Sequence, residues 1–206
     1  RNFELVVIDD GSTDNTKDII ADFNDNNIRY FYKENGGPAS ARNLGINKSQ
    51  GTFLIHLDSD DMMTPDFIAK HLQEFEMHPE ADLIYCDDSL IDENSKPIRV
   101  IKRPEYKNTR MLIRDLFHCG FPVVPFRTCI RKSVFDKIGL FDEELLVGED
   151  YDMIRRFVKH GLKMHHLQSA LYLRRMASDS LSRNYSTQKA KCHFEVIRRF
   201  TDTFTY

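Results

Sequence analysis

The sequence predicts an α/β fold, and three observations carry that prediction. Short β-branched runs alternate with segments whose apolar residues recur at helical spacing, turn residues punctuate the joins, and carboxylates cluster just after the apolar runs. Glu4-Leu5-Val6-Val7-Ile8 predicts a first strand, and Ile19, Ile20 and Phe23 follow at the spacing of a helix. Residues 28–32 predict a second strand, Asn35-Gly36-Gly37 a turn, and 39–47 a short helix that stops before Gly51. Phe53-Leu54-Ile55-His56-Leu57 predicts a third strand. Thr64 as N-cap and Pro65 at the first helical position open a helix whose Phe67, Ile68, Leu72 and Phe75 share a face. Leu83-Ile84-Tyr85-Cys86 predicts the fourth strand. From 87 to about 144 the chain loosens into Pro-punctuated short strands and long loops. A helix resumes at Glu149-Asp150, buries Met153, Ile154, Phe157 and Val158, and ends at Gly161. Short strands around 163–167 and 170–173 follow, and Phe194, Ile197, Phe200 and Phe204 predict an amphipathic C-terminal helix.

The 206 residues suit a single domain. Against 32 acidic residues the 29 Lys and Arg leave a net charge of -3, without the basic excess that draws a protein to a nucleic-acid backbone. No apolar run approaches the ~18 residues of a membrane span. Cys86, Cys119, Cys129 and Cys192 form no CxxC pair, and reduced thiols in a cytoplasmic protein are expected. Arg1-Asn2-Phe3-Glu4 has neither an initiator Met nor a signal-like stretch, as in a chain cut open upstream.

The carboxylates carry the chemistry. Asp9-Asp10 follows the first strand, Asp58-Ser59-Asp60-Asp61 the third and Asp87-Asp88 the fourth. If these strands are parallel, all three clusters share the rim where open α/β sheets bind ligands. So many acids would repel one another and any phosphate unless a hard divalent cation, Mg²⁺ or Mn²⁺, were shared with phosphate oxygens. The expected ligand is a metal–phosphate compound. Each cluster also has a local structural reading: Asp9-Asp10-Gly11-Ser12 as turn and helix-cap chemistry, Asp87-Asp88 as a solvated loop. An EF-hand reading of 58–61 fails, because Met62 and Met63 occupy positions that need an acceptor and a Gly. Glu149-Asp150 stands where a loop enters a helix. There the helix dipole favours acids, and Asp150 is a candidate general base.

Together these motifs resemble the family 2 glycosyltransferases of the GT-A fold. The resemblance runs through residues 4–14, Asn35-Gly36-Gly37 with Ala41-Arg42-Asn43-Leu44-Gly45-Ile46, and Asp58-Ser59-Asp60-Asp61. It continues through Arg131-Lys132-Ser133-Val134-Phe135 with Gly139-Leu140-Phe141-Asp142-Glu143, and Gly148-Glu149-Asp150-Tyr151-Asp152, covering roughly residues 3–183. It implies a mixed, mostly parallel sheet flanked by helices, whose first strand is missing from this chain. Residues 1–88 would bind the nucleotide, 89–183 would hold the acceptor and catalytic acid, and 184–206 would form a terminal helix. It assigns Asp10, with Asp9 beside it, to the uracil of a UDP-sugar, Asp58 to the ribose side and Asp60 to Mn²⁺ or Mg²⁺ on the diphosphate. Asp150 would deprotonate the acceptor hydroxyl. Arg42 is placed near the nucleotide, with a surface helix residue as the alternative.

The implied activity is metal-dependent, inverting transfer of a sugar to a saccharide or glycolipid hydroxyl, in polysaccharide or glycolipid synthesis. The chain has no Trp and so lacks the Gln-x-x-Arg-Trp motif of processive synthases, which points to one sugar per encounter. Leu173-Arg174-Arg175-Met176 offers no metal-binding His where many members have one; Arg175, His165 and His166 are the candidates to compensate. A cytoplasmic location fits, and Lys189, Lys191, Arg198 and Arg199 leave open contact with the inner membrane face, a solvated face on a docked helix being the more ordinary reading. Two rivals remain. A haloacid-dehalogenase-type phosphohydrolase leaves Asp9-Asp10 and Glu149-Asp150 unexplained, and a catalytically silent nucleotide-sugar-binding or scaffold protein would keep the same motifs.

Overall fold

The computed structural model describes residues 3–106, 111, 112, 115, 127–145, 147–176, 195, 198 and 199. Cys119, Cys192, most of the Pro-punctuated 119–127 stretch, and the apolar stripe and two lysines of the predicted C-terminal helix lie outside them. The elements in chain order are β1 (Leu5–Asp10), α1 (Thr16–Asp22), β2 (Ile28–Lys33), α2 (Gly37–Lys48), β3 (Phe53–Ile55), β4 (Met62–Met63) and α3 (Phe67–Met77). They continue through β5 (Leu83–Ile91), β6 (Pro97–Ile101), β7 (Thr128–Arg131), α4 (Val134–Ile138), α5 (Glu149–Lys159) and β8 (Met164–Arg175).

β1 and β2 pair in parallel as a two-stranded sheet, with α2 packed on β1. A second sheet runs β3-β7-β5-β8-β4, and β6 pairs with β5. In it β5 and β8 are parallel, while β3–β7, β7–β5, β8–β4 and β5–β6 are antiparallel. The sheet is therefore mixed, as expected. Its antiparallel share is larger than the βα alternation implies, because β4 and β6 enter without a helical crossover.

β5 forms the spine. All nine of its residues are buried, since it has hydrogen-bonded neighbours on both edges and helices over both faces. Strand alternation sends Leu83 and Tyr85 into a core with Ile130, Phe135, Met153 and Phe157, under α2, α4 and α5. It sends Ile84 and Cys86 the other way, towards Phe75 and Phe67 of α3.

Several sequence expectations are corrected here. Asp87-Asp88 is neither a strand end nor a solvated loop; it lies inside β5 and is buried. The predicted strands at 163–167 and 170–173 are one strand, β8, whose pairing with β5 slips between Leu167 and Ala170. A bulge, not a turn, accounts for the polar Gln168-Ser169 interruption. α3 begins at Phe67 with Asp66 as N-cap, and the Thr64 carbonyl accepts the Phe67 N–H at 3.0 Å in the preceding turn.

Candidate active site

Asp9 and Asp10 end β1 at a turn only glycine can make. Gly11 sits at φ +88°, and a Cβ there would lie 2.8 Å from the Asn35 nitrogen. That close approach places the β1 turn against the start of α2. The Asp10 carboxylate accepts the Gly36 and Gly37 N–H groups at 2.9 and 2.7 Å and Lys33 Nζ at 2.6 Å, anchoring the helix N-terminus. Burial pushes the Asp10 carboxyl up, but these donors outweigh it and hold it below its ordinary value. Asp9 accepts the Tyr30 hydroxyl and, at 2.7 Å, the Ser12 N–H, and these bonds likewise lower its pKa.

One turn into α2, Arg42 joins the other two motifs. It donates from one guanidinium nitrogen to Glu149 Oε1 at 2.6 Å and from the other to Asp58 Oδ1 at 3.0 Å, and it stands 5.7 Å over the Phe141 ring. With 17% of its side chain exposed it is no surface helix residue. The next residue explains how the bridge is held. Asn43 Nδ2 donates to the Phe141 carbonyl at 2.9 Å and to Glu143 Oε1 at 2.7 Å, and Asn43 Oδ1 accepts the Phe141 N–H at 2.8 Å. α2 is thereby stitched to the 139–143 loop that leads to α5. The role of Asn43 was missed from sequence; the signal was its place directly after Arg42 in Ala41-Arg42-Asn43. His56 lies edge-on to Phe141 at 5.6 Å, and burial, then the Arg42 charge, pushes its pKa down to about 3, so its ring is neutral.

The 58–61 loop divides its acids. Asp61 turns inward and accepts the Tyr172 hydroxyl at 2.7 Å and the Arg175 N–H at 2.8 Å, tying the loop to β8. Burial raises its pKa despite these bonds, and the charges of Asp60 and Asp58 add to the rise. Asp60 faces solvent, and among the described residues its carboxylate makes no hydrogen bond or ion pair. Asp58 is 38% exposed and gives one oxygen to Arg42. These oxygens are the donors a hard divalent cation takes, so the residues fit Mn²⁺ or Mg²⁺. Arg175, expected to compensate for the missing His, spends its guanidinium on the carbonyls of Asp60, Asp92 and Glu93 at 2.9–3.0 Å. His165 bonds Glu74 and His166 bonds Asp87, so neither reaches this loop by a hydrogen bond.

Gly148, at φ +84°, turns the chain into α5 and sets Glu149 and Asp150 in its first turn. Glu149 is buried against Arg42. The Asp150 carboxylate accepts the Tyr151 N–H at 2.9 Å. Burial, followed by the adjacent Glu149 charge, pushes the Asp150 pKa up to about 7, against the pull of Arg42 and the helix N-terminus. A carboxyl that titrates near neutrality can accept a proton from a hydroxyl and release it again. The third cluster does different work. Asp88 is fully buried, 2.5–2.6 Å from Arg103 and 3.7 Å from both Arg127 and Arg174, while Asp87 takes the Arg103 N–H and His166. It is a charge network internal to the sheet.

Of the basic residues near the C-terminus, Arg199 pairs with Asp142 and Glu195, and Arg198 with Glu195, contacts that go with a docked helix. No helix among the described residues is long and apolar enough to cross a membrane.

Residues 1–139 match the family model described as Glycosyl transferase family 2. An uncharacterised glycosyltransferase of Rickettsia typhi is 35% identical over 161 residues, covering 77% of this chain and 50% of that protein. Chondroitin synthase of Pasteurella multocida is 30% identical over 202 residues, covering 96% of this chain and 20% of the synthase. The chain thus spans half or less of the length of these relatives. The crystal structure of S. aureus TarS 1-349 in complex with UDP-GlcNAc superposes with a TM-score of 0.78 at 23% identity, covering 98% of this chain and 57% of that one.

Proposed function

The chain belongs to glycosyl transferase family 2 and has its GT-A fold, and from that premise we propose that it transfers one sugar, with inversion, from a UDP-sugar to a hydroxyl of a saccharide or glycolipid acceptor. The observation that carries the proposal is the Arg42 bridge: it links the loop of Asp58 and Asp60 to Glu149, beside a carboxyl raised to about 7. The donor half and the base half of a displacement site are thereby held as one unit.

In this reading the acceptor oxygen attacks the anomeric carbon as the bond from that carbon to the diphosphate breaks. The hydroxyl proton passes to Asp150, and the electron pair of the broken bond leaves with UDP. Asp60 would hold the metal, with Asp58 beside it on the ribose side, and Asp9 and Asp10 shape the pocket for the uracil. Bound there, Mn²⁺ or Mg²⁺ would offset the charge gathering on the departing diphosphate. Arg42 keeps its two acids at a fixed separation, and its own charge disfavours a second cation between them. No enzyme-bound sugar is needed, since one attack inverts the centre. The names of the relatives support a nucleotide-sugar donor: one makes chondroitin, and TarS binds UDP-GlcNAc.

Calorimetric titration of UDP, with Mn²⁺ and with chelator, tests the donor half on wild type and Asp60→Ala. Binding that requires both metal and Asp60 is expected. Metal-independent binding would remove Asp60 from its role, and absence of UDP binding would end the UDP-sugar reading. An acceptor screen with Asp150→Asn then separates an enzyme from a silent binding protein of the same fold.

A further inference from the structure

α3 and β8 bring together three metal-capable side chains that the proposed transfer does not use. Glu74 and His78 stand one turn apart at the C-terminal end of α3, where residues i and i+4 share a face. His165 leaves β8 on the α3 side while His166 points into the sheet towards Asp87, as strand alternation requires. Glu74 Oε2 lies 3.0 Å from His165 Nε2 and 3.8 Å from His78 Nε2. One ligand atom from each of the three residues falls within 4.8 Å of the others.

The two imidazoles stack with centroids 3.7 Å apart and planes 26° apart. Two imidazole nitrogens converging on one carboxylate oxygen make a place for a cation. We propose that Glu74, His78 and His165 form a binding site for Zn²⁺, separate from the carboxylates of the transfer site.

The donor set selects the metal. Two imidazoles and one carboxylate suit Zn²⁺, whereas Mg²⁺ and Ca²⁺ prefer oxygen alone. Tetrahedral bonds of roughly 2.1 Å put ligand atoms about 3.4 Å apart, and the observed 3.0 and 3.8 Å bracket that spacing. Side-chain exposures of 17% for Glu74, 36% for His78 and 32% for His165 leave a path from solvent and room for a water in the fourth position. Glu80 Oε1, 3.7 Å from His78 Nδ1, is placed to orient that ring from behind. A bound ion would pin the end of α3 to the start of β8, so Zn²⁺ stabilises the fold by mass action.

The test uses the full chain, stripped of metal, with Zn²⁺ alone as the probe and Mg²⁺ as the control. Calorimetry on an Asp58→Ala/Asp60→Ala background removes the oxygen donors of the other site. One equivalent of Zn²⁺ is expected to bind there and to raise the melting temperature, with no response to Mg²⁺. In that background His165→Gln is expected to weaken binding by more than the ~10–100-fold that loss of an outer-shell partner costs, and to abolish the thermal shift. His78→Ala, at a half-exposed helix end, gives the same readout with little risk to folding. Absence of Zn²⁺ binding on the double-Ala background, or binding there that neither His substitution weakens, overturns the site. A failed UDP titration would leave this outcome untouched.

Discussion

Asp9-Asp10 and Glu149-Asp150 are both adjacent acids at a helix N-terminus, yet their second members titrate in opposite directions. Asp10 meets two backbone N–H groups and a lysine at 2.6–2.9 Å and stays ionised. Asp150 has one N–H, a half-buried setting and a neighbouring carboxylate, and rises to about 7. The contrast shows that the supply of donors decides whether an acid pair becomes a staple or a base. Proximity to a helix end does not settle it, because desolvation outweighs the dipole once donors are few.

The largest effect that would sharpen this contrast is expected from Asp150→Asn. Transfer should fall by ~10²–10⁴-fold in kcat, the usual worth of a general base, with UDP affinity preserved. Its stability should move the other way. A carboxyl whose folded pKa is raised disfavours the folded state as pH climbs from the ordinary carboxylate range to above 7. The variant should therefore melt higher than wild type above pH 7, with the gap closing as pH falls towards 4. An equal kcat loss in Asp10→Asn would erase the distinction between the pairs.

Arg42→Ala comes next. It leaves Glu149 buried without its partner, a loss of about 3 kcal/mol read by denaturant unfolding. It also removes the positive charge that lowers Asp150, so the acidic limb of the rate profile should shift to higher pH than the wild-type value near 7. A limb that stays put would detach Arg42 from the base.

Asn43→Ala should cost about 2 kcal/mol, since two backbone groups of Phe141 lose their partners. Circular-dichroism melting measures it, and a cost near zero would show that the 139–143 loop is held by its apolar contacts instead. Smallest is Asp10→Asn, at about 1 kcal/mol near neutrality. The contribution of a depressed carboxyl is present above its unfolded pKa and lost as pH falls through the folded one. Wild type and variant should thus converge in strong acid, which a pH series of melting curves would reveal.

Local patterns were legible along the chain. β1, β2, α3 and α5 were readable because each carries its apolar pattern and its turn signals within a dozen residues, and α2 because glycine turns bracket it. β8 was misread as two strands because a bulge and a turn look alike when only the polar interruption is visible. Asp87-Asp88 was misread because a buried acid is intelligible only with its arginines, which come from β8 and from distant loops. The acids of the candidate site could be named from the sequence, by motif. The Arg42 bridge, the Asn43 clamp and the convergence of Glu74, His78 and His165 could not.

Sequence alone determined the alternation of strands and helices, the glycine turn at Gly11 and the residue types at the site, because these follow from backbone sterics and side-chain chemistry within a few residues. Tertiary structure decided which acids keep their protons and which histidines face a common oxygen, because burial and through-space charge depend on neighbours that chain order does not specify.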